Sequence, residues 1–133
     1  MTVLHGPNVS AAVDALANAA VAAGVTPAAP LCPECGKPWH AVHPNQLFCS
    51  TACRTAFNRR CASRGRRLLP YAATARATRD GTRGNPTERH VGKRASHAAN
   101  LLMQRWRDED AAAGRMAIPA FVDLRYRAGF EPF

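Results

Sequence analysis

Four of the five cysteines in this chain lie in one short segment, and their spacing constrains the fold more than any other feature. Cys32 and Cys35 are separated by two residues, Cys49 and Cys53 by three, and thirteen residues lie between the two pairs. Cysteines spaced in this way let each half of a site close locally, and four thiolates complete the tetrahedral shell of zinc at about 2.3 Å. The pattern therefore predicts one structural zinc ion with these four cysteines as its ligands.

The residues around the cysteines predict how the chain turns at such a site. Pro33 restricts φ after the first ligand and Gly36 permits a positive φ after the second, which favours a tight knuckle with N–H groups aimed at sulfur. Ser50 is a good N-cap, so a helix is expected to begin there with Cys53 in its first turn. The segment between the two pairs has the length of a small β-hairpin. The expected local fold is a knuckle, a hairpin and a helix.

Other roles for the cysteines are a redox pair or a set of reduced, buried thiols. Thioredoxin-like motifs occur in a βαβ setting, which this sequence lacks. The alanine-rich segment near the N-terminus is interrupted by Asp14 and Asn18 and follows no positively charged region, so we expect a cytoplasmic chain with reduced cysteines and no membrane segment. Cys61 follows Cys53 and Phe57 at helical spacing and is predicted to be a core residue.

The rest of the chain is predicted to be mainly helical, because apolar residues recur at helical spacing and Pro and Gly mark the ends. The predicted helices run from about Asn8 or Ser10 to Gly24, from Pro70 over a short segment, from about Glu88, after Thr87, to Ala113, and from Pro119 to just before Gly129. The predicted parts are an N-terminal helix and linker (1–31), a zinc finger (32–65) and a helical C-terminal part that packs on the finger (66–133).

Positive charge is concentrated in the middle of the chain. The whole sequence has 18 Lys and Arg against 9 Asp and Glu, and residues 32–107 hold 15 of the basic and 3 of the acidic residues. Part of this charge offsets the formal −2 of a zinc tetrathiolate, and the remainder favours nucleic acid or an acidic protein as partner. The residues predicted to contact nucleic acid are Arg54, Arg59, Arg60, Arg64, Arg66, Arg67, Arg76, Arg79 and Lys93.

One acidic run opposes this charge. The carboxylates at 108–110 fall near the predicted end of the long helix, where negative charge is unfavourable. They are expected to pair with Arg105, Arg107, the basic middle of the chain or another copy, which would reduce the surface left for nucleic acid. The apolar residues predicted to be core are Trp39, Trp106, Phe121, Leu124 and Tyr126. Phe130 and Phe133 are predicted either to cover the core or to anchor a partner.

The stretch CPECG followed by FCSTACRTAFNRR resembles treble-clef zinc fingers with an F-C-S-x-x-C-R signature. This group includes the FCS and MYM-type fingers, and many small bacterial and prophage proteins carry the pattern. The resemblance implies a knuckle, a β-hairpin and a helix around one zinc. Its motif companions here are Phe48, Ser50, Arg54 and Phe57. The fold serves nucleic-acid binders, protein adaptors, a gyrase inhibitor and nucleases, so it does not select a function.

A nuclease of the His-Asn-His type is a remote alternative, suggested by His43 and Asn45 beside the second cysteine pair. Only Pro44 separates them, whereas a ββα-metal site needs a hairpin between its base and its metal ligand, and Arg54 stands where such enzymes often have a helical histidine. We therefore expect no enzyme. The preferred hypothesis is a zinc-finger protein that binds nucleic acid, DNA before RNA. The main alternative is a protein-binding adaptor or assembly component, in the setting of a phage, with an acidic partner.

Overall fold

A computed structural model describes residues 29–130, so the predicted N-terminal helix and Phe133 lie outside the described residues. An irregular segment, 29–50, carries Cys32, Cys35 and Cys49, and Cys53 lies in the helix that follows. Three helices follow it, α1 (Thr51–Ala77), α2 (Pro86–Ala112) and α3 (Ile118–Arg127). The predicted mainly helical class is confirmed for this part of the chain. None of its helices is both long enough and apolar enough to cross a membrane.

The predicted β-hairpin, and with it the treble-clef fold class, is wrong. Between residues 29 and 130 the only β-type pairing is an isolated antiparallel bridge between Leu31 and Pro38. Local hydrogen bonds of Gln46 take the place of a second strand: its side chain accepts from Val42 N at 3.0 Å and donates to Phe48 O at 2.9 Å. A side chain that satisfies the backbone locally competes with a strand ladder, which explains why no hairpin forms.

The predicted break between two helices near residue 70 is also wrong, because α1 runs through Pro70 without interruption. A proline inside a helix costs about 3 kcal/mol, since it removes a donor and crowds the preceding turn. Contacts with α2 on both sides offset this cost: Arg64 pairs with Asp110, and Ala75 is buried. Helix α1 spans the predicted boundary between residues 65 and 66, and Arg59, Arg60 and Arg64 lie inside the helix rather than at its C-terminus.

Helices α1 and α2 form an antiparallel hairpin with small residues along its crossing. Gly92, Ala95 and Ala99 of α2 are buried in it. A Cβ on Gly92 would lie 2.1 Å from the Thr78 hydroxyl oxygen, so only glycine allows this approach. Helix α2 begins with a capping box between Asn85 and Glu88, so its N-cap precedes the predicted Thr87 by two residues.

The hydrophobic core surrounds the cysteine segment. Trp39, Leu47, Phe48 and Phe57 are buried together with Cys32, and Phe121 and Leu124 of α3 pack against them. The ring centroids of Phe57 and Phe121 are 4.4 Å apart, and those of Phe48 and Phe57 are 5.2 Å apart. Helix α3 therefore closes the core over the segment that carries the cysteines. Trp39 and Trp106 are buried as predicted, whereas Tyr126 is exposed.

The predicted core position of Cys61 is wrong, because the thiol is on the exposed side of α1. Eight residues rotate a helix by about 80° beyond two full turns, so Cys61 has drifted away from the line through Cys53. Phe57, only four residues from Cys53, stays on the buried side. Helical spacing therefore predicted the correct face over one turn but not over two.

Candidate metal centre

The four clustered cysteines lie close enough together to hold a metal ion. All four Sγ atoms are within 4.8 Å of one another. The Sγ atoms of Cys35 and Cys49 are 3.7 Å apart, and those of Cys49 and Cys53 are 3.6 Å apart. A tetrahedron with metal–sulfur bonds of about 2.3 Å has sulfur–sulfur edges of about 3.8 Å, whereas a disulfide bond is about 2.05 Å long. The spacing fits a tetrahedral thiolate site and no disulfide.

The first pair of cysteines is held by a knuckle that the sequence predicted. Cys32 N donates to Lys37 O and Gly36 N donates to Cys32 O, both at 2.9 Å. Gly36 adopts φ 74°, which confirms the positive φ expected after the second ligand. A Cβ there would lie 2.3 Å from the carbonyl oxygen of Gly114, so the glycine also permits close contact with the segment after α2.

The second pair sits at the start of α1. Ser50 is its N-cap, and the Ser50 hydroxyl accepts a hydrogen bond from Cys53 N at 3.2 Å, as predicted. Cys53 is therefore fixed in the first turn, where free N–H groups favour a thiolate. Cys49 N donates to the sulfur of Cys32 at 3.5 Å and connects the two halves of the site.

The thiols of the cluster differ in acidity. Burial acts to raise the pKa of Cys32, but hydrogen bonds from the backbone of Cys35, Cys49 and Glu34 dominate and lower it to about 7. Cys49 shows the opposite shift, because its hydrogen bond with Cys53, followed by burial, raises its pKa to about 12. Four thiolates at this separation repel one another unless a cation lies between them. The arrangement is suited to a divalent metal that deprotonates all four.

Ion pairs tie the knuckle and the acidic run to α1. Arg60 pairs through both terminal nitrogens with Glu34 of the knuckle. The buried carboxylate of Asp110 accepts from Arg64 Nη1 at 2.9 Å and from Arg115 Nη1 at 2.8 Å. Glu109 approaches Arg64 Nη2 at 3.3 Å. Carboxylates of the 108–110 run thus pair with the basic middle of the same chain, one of the predicted outcomes.

The segment after α2 docks on the metal knuckle. Met116 N donates to Pro33 O at 3.1 Å, and Pro33 is fully buried. The carbonyl of Gly114 touches Gly36 closely, as described above. The segment that follows α2 is therefore attached to the knuckle that carries Cys32 and Cys35. The sequence offered no signal for this contact, because it joins residues about eighty positions apart.

The predicted nucleic-acid contacts divide into two groups. The first group makes contacts within the chain. Arg60 and Arg64 form ion pairs with carboxylates, and the guanidinium groups of Arg64 and Arg67 lie 5.5 and 5.8 Å from the ring centroid of Trp106. The others are exposed and make no ion pair within residues 29–130. This second group is Arg54, Arg59, Arg66, Arg76, Arg79 and Lys93.

The far end of the hairpin gathers part of this second group. A cleft of about 540 Å³ opens between α1 and α2, and Arg76, Arg79 and Asn100 are among its lining residues. Asp80 also lines it, but its carboxylate accepts from the Ser96 hydroxyl at 2.9 Å. The left-handed φ of Arg79 (47°) and Asp80 (57°) sets the path of the turn. The sequence predicts Arg76 and Arg79 as nucleic-acid contacts, but their convergence with Asn100 on one cleft depends on the tertiary structure.

His40 and His43 are exposed and lie outside the sulfur cluster. The sequence predicts both as polar residues of the hairpin rather than as metal ligands; they are exposed residues of a segment that forms no hairpin.

No family model, curated protein or solved structure matches this chain.

Proposed function

We propose that this protein is a zinc-structured, non-catalytic nucleic-acid-binding protein that binds DNA in preference to RNA. The observation that carries the proposal is a group of cations at the closed end of the α1–α2 hairpin. Arg60 and Arg64 are paired with carboxylates, whereas Arg76, Arg79 and Lys93 at that end make no ion pair within the described residues. Cations that have no internal partner are free to neutralise phosphates.

Zinc is the metal that the donor set favours. Four thiolates select soft or borderline ions, and a closed tetrahedral shell with no open position is typical of structural zinc rather than catalytic zinc. The residues present fit that role, because the sulfur separations match a tetrahedron and the knuckle glycine and helix cap hold both pairs. In this proposal the metal supplies folding free energy, and the cationic surface on the hairpin supplies binding.

The proposed contact is electrostatic and follows the phosphate backbone. Arg76 and Arg79 line one side of the far cleft and Asn100 the other. Lys93 lies beside the turn, where its Cγ would be 2.3 Å from a Cβ added at Gly81. A rigid helical pair carrying several unpaired cations matches a polyanion with regularly spaced charges.

An acidic protein partner is the second candidate, and one observation favours it. Ile118, Val122 and Tyr126 recur at four-residue spacing on the side of α3 that faces away from the core, and all three are exposed. An apolar stripe of this kind suits a protein interface rather than a phosphate backbone. The two candidates differ in their response to salt and in the surface they use.

The deciding experiment measures binding of the zinc-loaded protein to a DNA duplex and to an RNA hairpin across a salt series. Nucleic-acid binding predicts a linear fall of log K with log salt, and the double variant R76Q/R79Q should reduce the slope by about 2, since each phosphate contact contributes about 0.9. The matched control R94Q/R105Q removes the same charge from exposed positions of α2 that lie outside the cleft. It should change the slope much less.

Either of two results would overturn the proposal. The first is no binding at low salt. The second is an equal reduction of the salt slope in both double variants, which would show that binding depends only on the total charge of the protein. Binding of an acidic protein that persists in R76Q/R79Q but is lost in a Val122→Asp variant would establish the adaptor alternative instead.

A further inference from the structure

A second cleft, of about 630 Å³, opens beside the metal centre between the loop before α1, the start of α1 and the end of α3. Its apolar lining includes Phe48, Phe121 and Phe130, and its polar lining includes Arg54 and Asn58 of α1. None of the residues that line it is acidic. A cleft of this size falls in the range of about 300–1,000 Å³ that binds small organic groups.

The aromatic wall of this cleft is already in place. Gly129 adopts φ 84°, which lets Phe130 N donate to Arg125 O at 3.0 Å and folds the ring back over α3. The Arg125 guanidinium lies 4.9 Å from the centroid of that ring. Phe121 is held by contact with the buried ring of Phe48, with ring centroids 6.0 Å apart, so the partly exposed rings of Phe121 and Phe130 form the wall. A ligand that stacks here meets little ordering cost.

Charge and hydrogen-bonding groups define what the cleft would accept. Arg54 is exposed, has no ion-pair partner among the described residues and favours an anionic group. Asn58 offers both a donor and an acceptor, as needed to bind the edge of a nucleobase. Aromatic rings accept the flat face of any base, and such stacking strengthens binding by about 5- to 150-fold per base.

We infer that this cleft binds one unpaired nucleotide of a single-stranded nucleic acid, with its base on the phenylalanine wall and its phosphate at Arg54. The inference rests on the proposed function, to which it adds a second contact that a closed duplex cannot make. A base within a duplex is stacked and paired, so only an unpaired base exposes the face and the edge that the cleft recognises.

The test compares the binding of a labelled six-nucleotide thymidylate with that of an abasic strand of equal length and charge. Stacking on the wall predicts that the abasic strand binds at least about 5-fold more weakly, as expected for the loss of one stacked base. R54Q should weaken binding of the thymidylate by at least about 5-fold, as expected for the loss of one charge-assisted contact. R59Q is the matched control, because Arg59 is an equally exposed and unpaired arginine of α1 that does not line the cleft.

Equal binding of the thymidylate and the abasic strand would overturn the inference, as would equal losses in R54Q and R59Q. If the thymidylate does not bind, but an acidic phenylalanine-containing peptide binds in a way that depends on Arg54, the cleft is a protein-binding site instead. If R76Q/R79Q weakens duplex binding but the thymidylate and the abasic strand bind equally, only this inference is overturned. If R76Q/R79Q has no effect on duplex binding and the two strands also bind equally, the proposed function is overturned as well.

Discussion

At the residue scale, Asp110 has the most consequential environment outside the cysteines. It is a buried carboxylate, and it accepts from Arg64 of α1 and from Arg115 of the segment that docks on the knuckle. Burial acts to raise the pKa of Asp110, but the hydrogen bond and charge of Arg64, and then Arg115, dominate and lower it below its ordinary value. One carboxylate therefore links α1, α2 and the metal-binding part of the chain.

Replacing Asp110 with Asn should reduce the free energy of unfolding by about 2 kcal/mol at neutral pH, because two arginines lose their buried partner. A carboxyl whose folded pKa is lowered stabilises the protein above its unfolded pKa and loses that effect as pH falls through the folded pKa. Asp110 is ionised in both states between pH 8 and pH 5, so the difference between wild type and variant should stay constant there. Urea unfolding of the zinc-loaded proteins at several pH values measures it.

Asp108→Asn is the control for this prediction. Asp108 is exposed and its nearest cation, Arg107, is 3.9 Å away, so its loss should change stability by less than about 0.5 kcal/mol. Glu109 also faces Arg64 and retains its charge in both variants. Equal effects of the two substitutions, or a difference that vanishes already at pH 5, would contradict the role assigned to Asp110.

At the scale of elements, the α1–α2 hairpin depends on how closely its helices approach. Gly92 packs against Thr78 and Gly81, and no space remains there for a methyl group. Gly65 of α1 is the opposite case, since an added Cβ would meet nothing within 4 Å. Comparing substitutions at the two glycines therefore distinguishes the effect of helix propensity from the effect of packing.

Gly65→Ala should stabilise the protein by up to about 1 kcal/mol, the difference in helix propensity between the two residues. Gly92→Ala brings the same gain in propensity, but the methyl group must displace Thr78, so a net loss of about 1–3 kcal/mol is expected. Thermal unfolding of both variants tests the pair. A Gly92→Ala protein that melts as high as Gly65→Ala would show that the helices do not meet as closely as described.

At the scale of the whole molecule, the hydrophobic core of the described residues is small and surrounds the cysteine cluster. The main cluster of buried side chains lies around the cysteines, and the rest of the hairpin is packed through alanine and glycine, which bury little apolar surface. Because the segment after α2 is attached to the knuckle, loss of the metal should loosen more than the cysteine loop. In small zinc domains the binding of structural zinc contributes about 10–16 kcal/mol to the free energy of folding.

Elemental analysis should find one zinc per chain in the wild type. Removal of the metal by a chelator should unfold residues 29–130 cooperatively. Cys49→Ser should lose the metal together with the buried environment of Trp39, which near-ultraviolet circular dichroism reports. Cys61→Ser is the matched control, because Cys61 lies outside the cluster and should retain both metal and fold. A Cys49→Ser protein that folds normally without metal would refute the zinc centre.

Local chemistry made several features predictable from the sequence. The grouping of the four cysteines, the positive φ of Gly36 and the Ser50 cap each depend on residues a few positions apart, and the structure confirms them. The end of α2 before Gly114 and the extent of α3 agree with the proline and glycine signals. The prediction of a hairpin between the cysteine pairs failed, because the Gln46 side chain satisfies backbone groups that a second strand would have paired.

By itself, the sequence determined which residues can hold a metal, where α1 begins and about where α2 and α3 end, since spacing, capping and φ preferences act over a turn or two of chain. Only the tertiary structure decided that α1 continues through Pro70, that Cys61 faces solvent, and that Arg60 and Arg64 are occupied by Glu34 and Asp110. These outcomes depend on contacts between distant segments. The free energy of such contacts exceeds local preference, and no periodicity in the sequence records them.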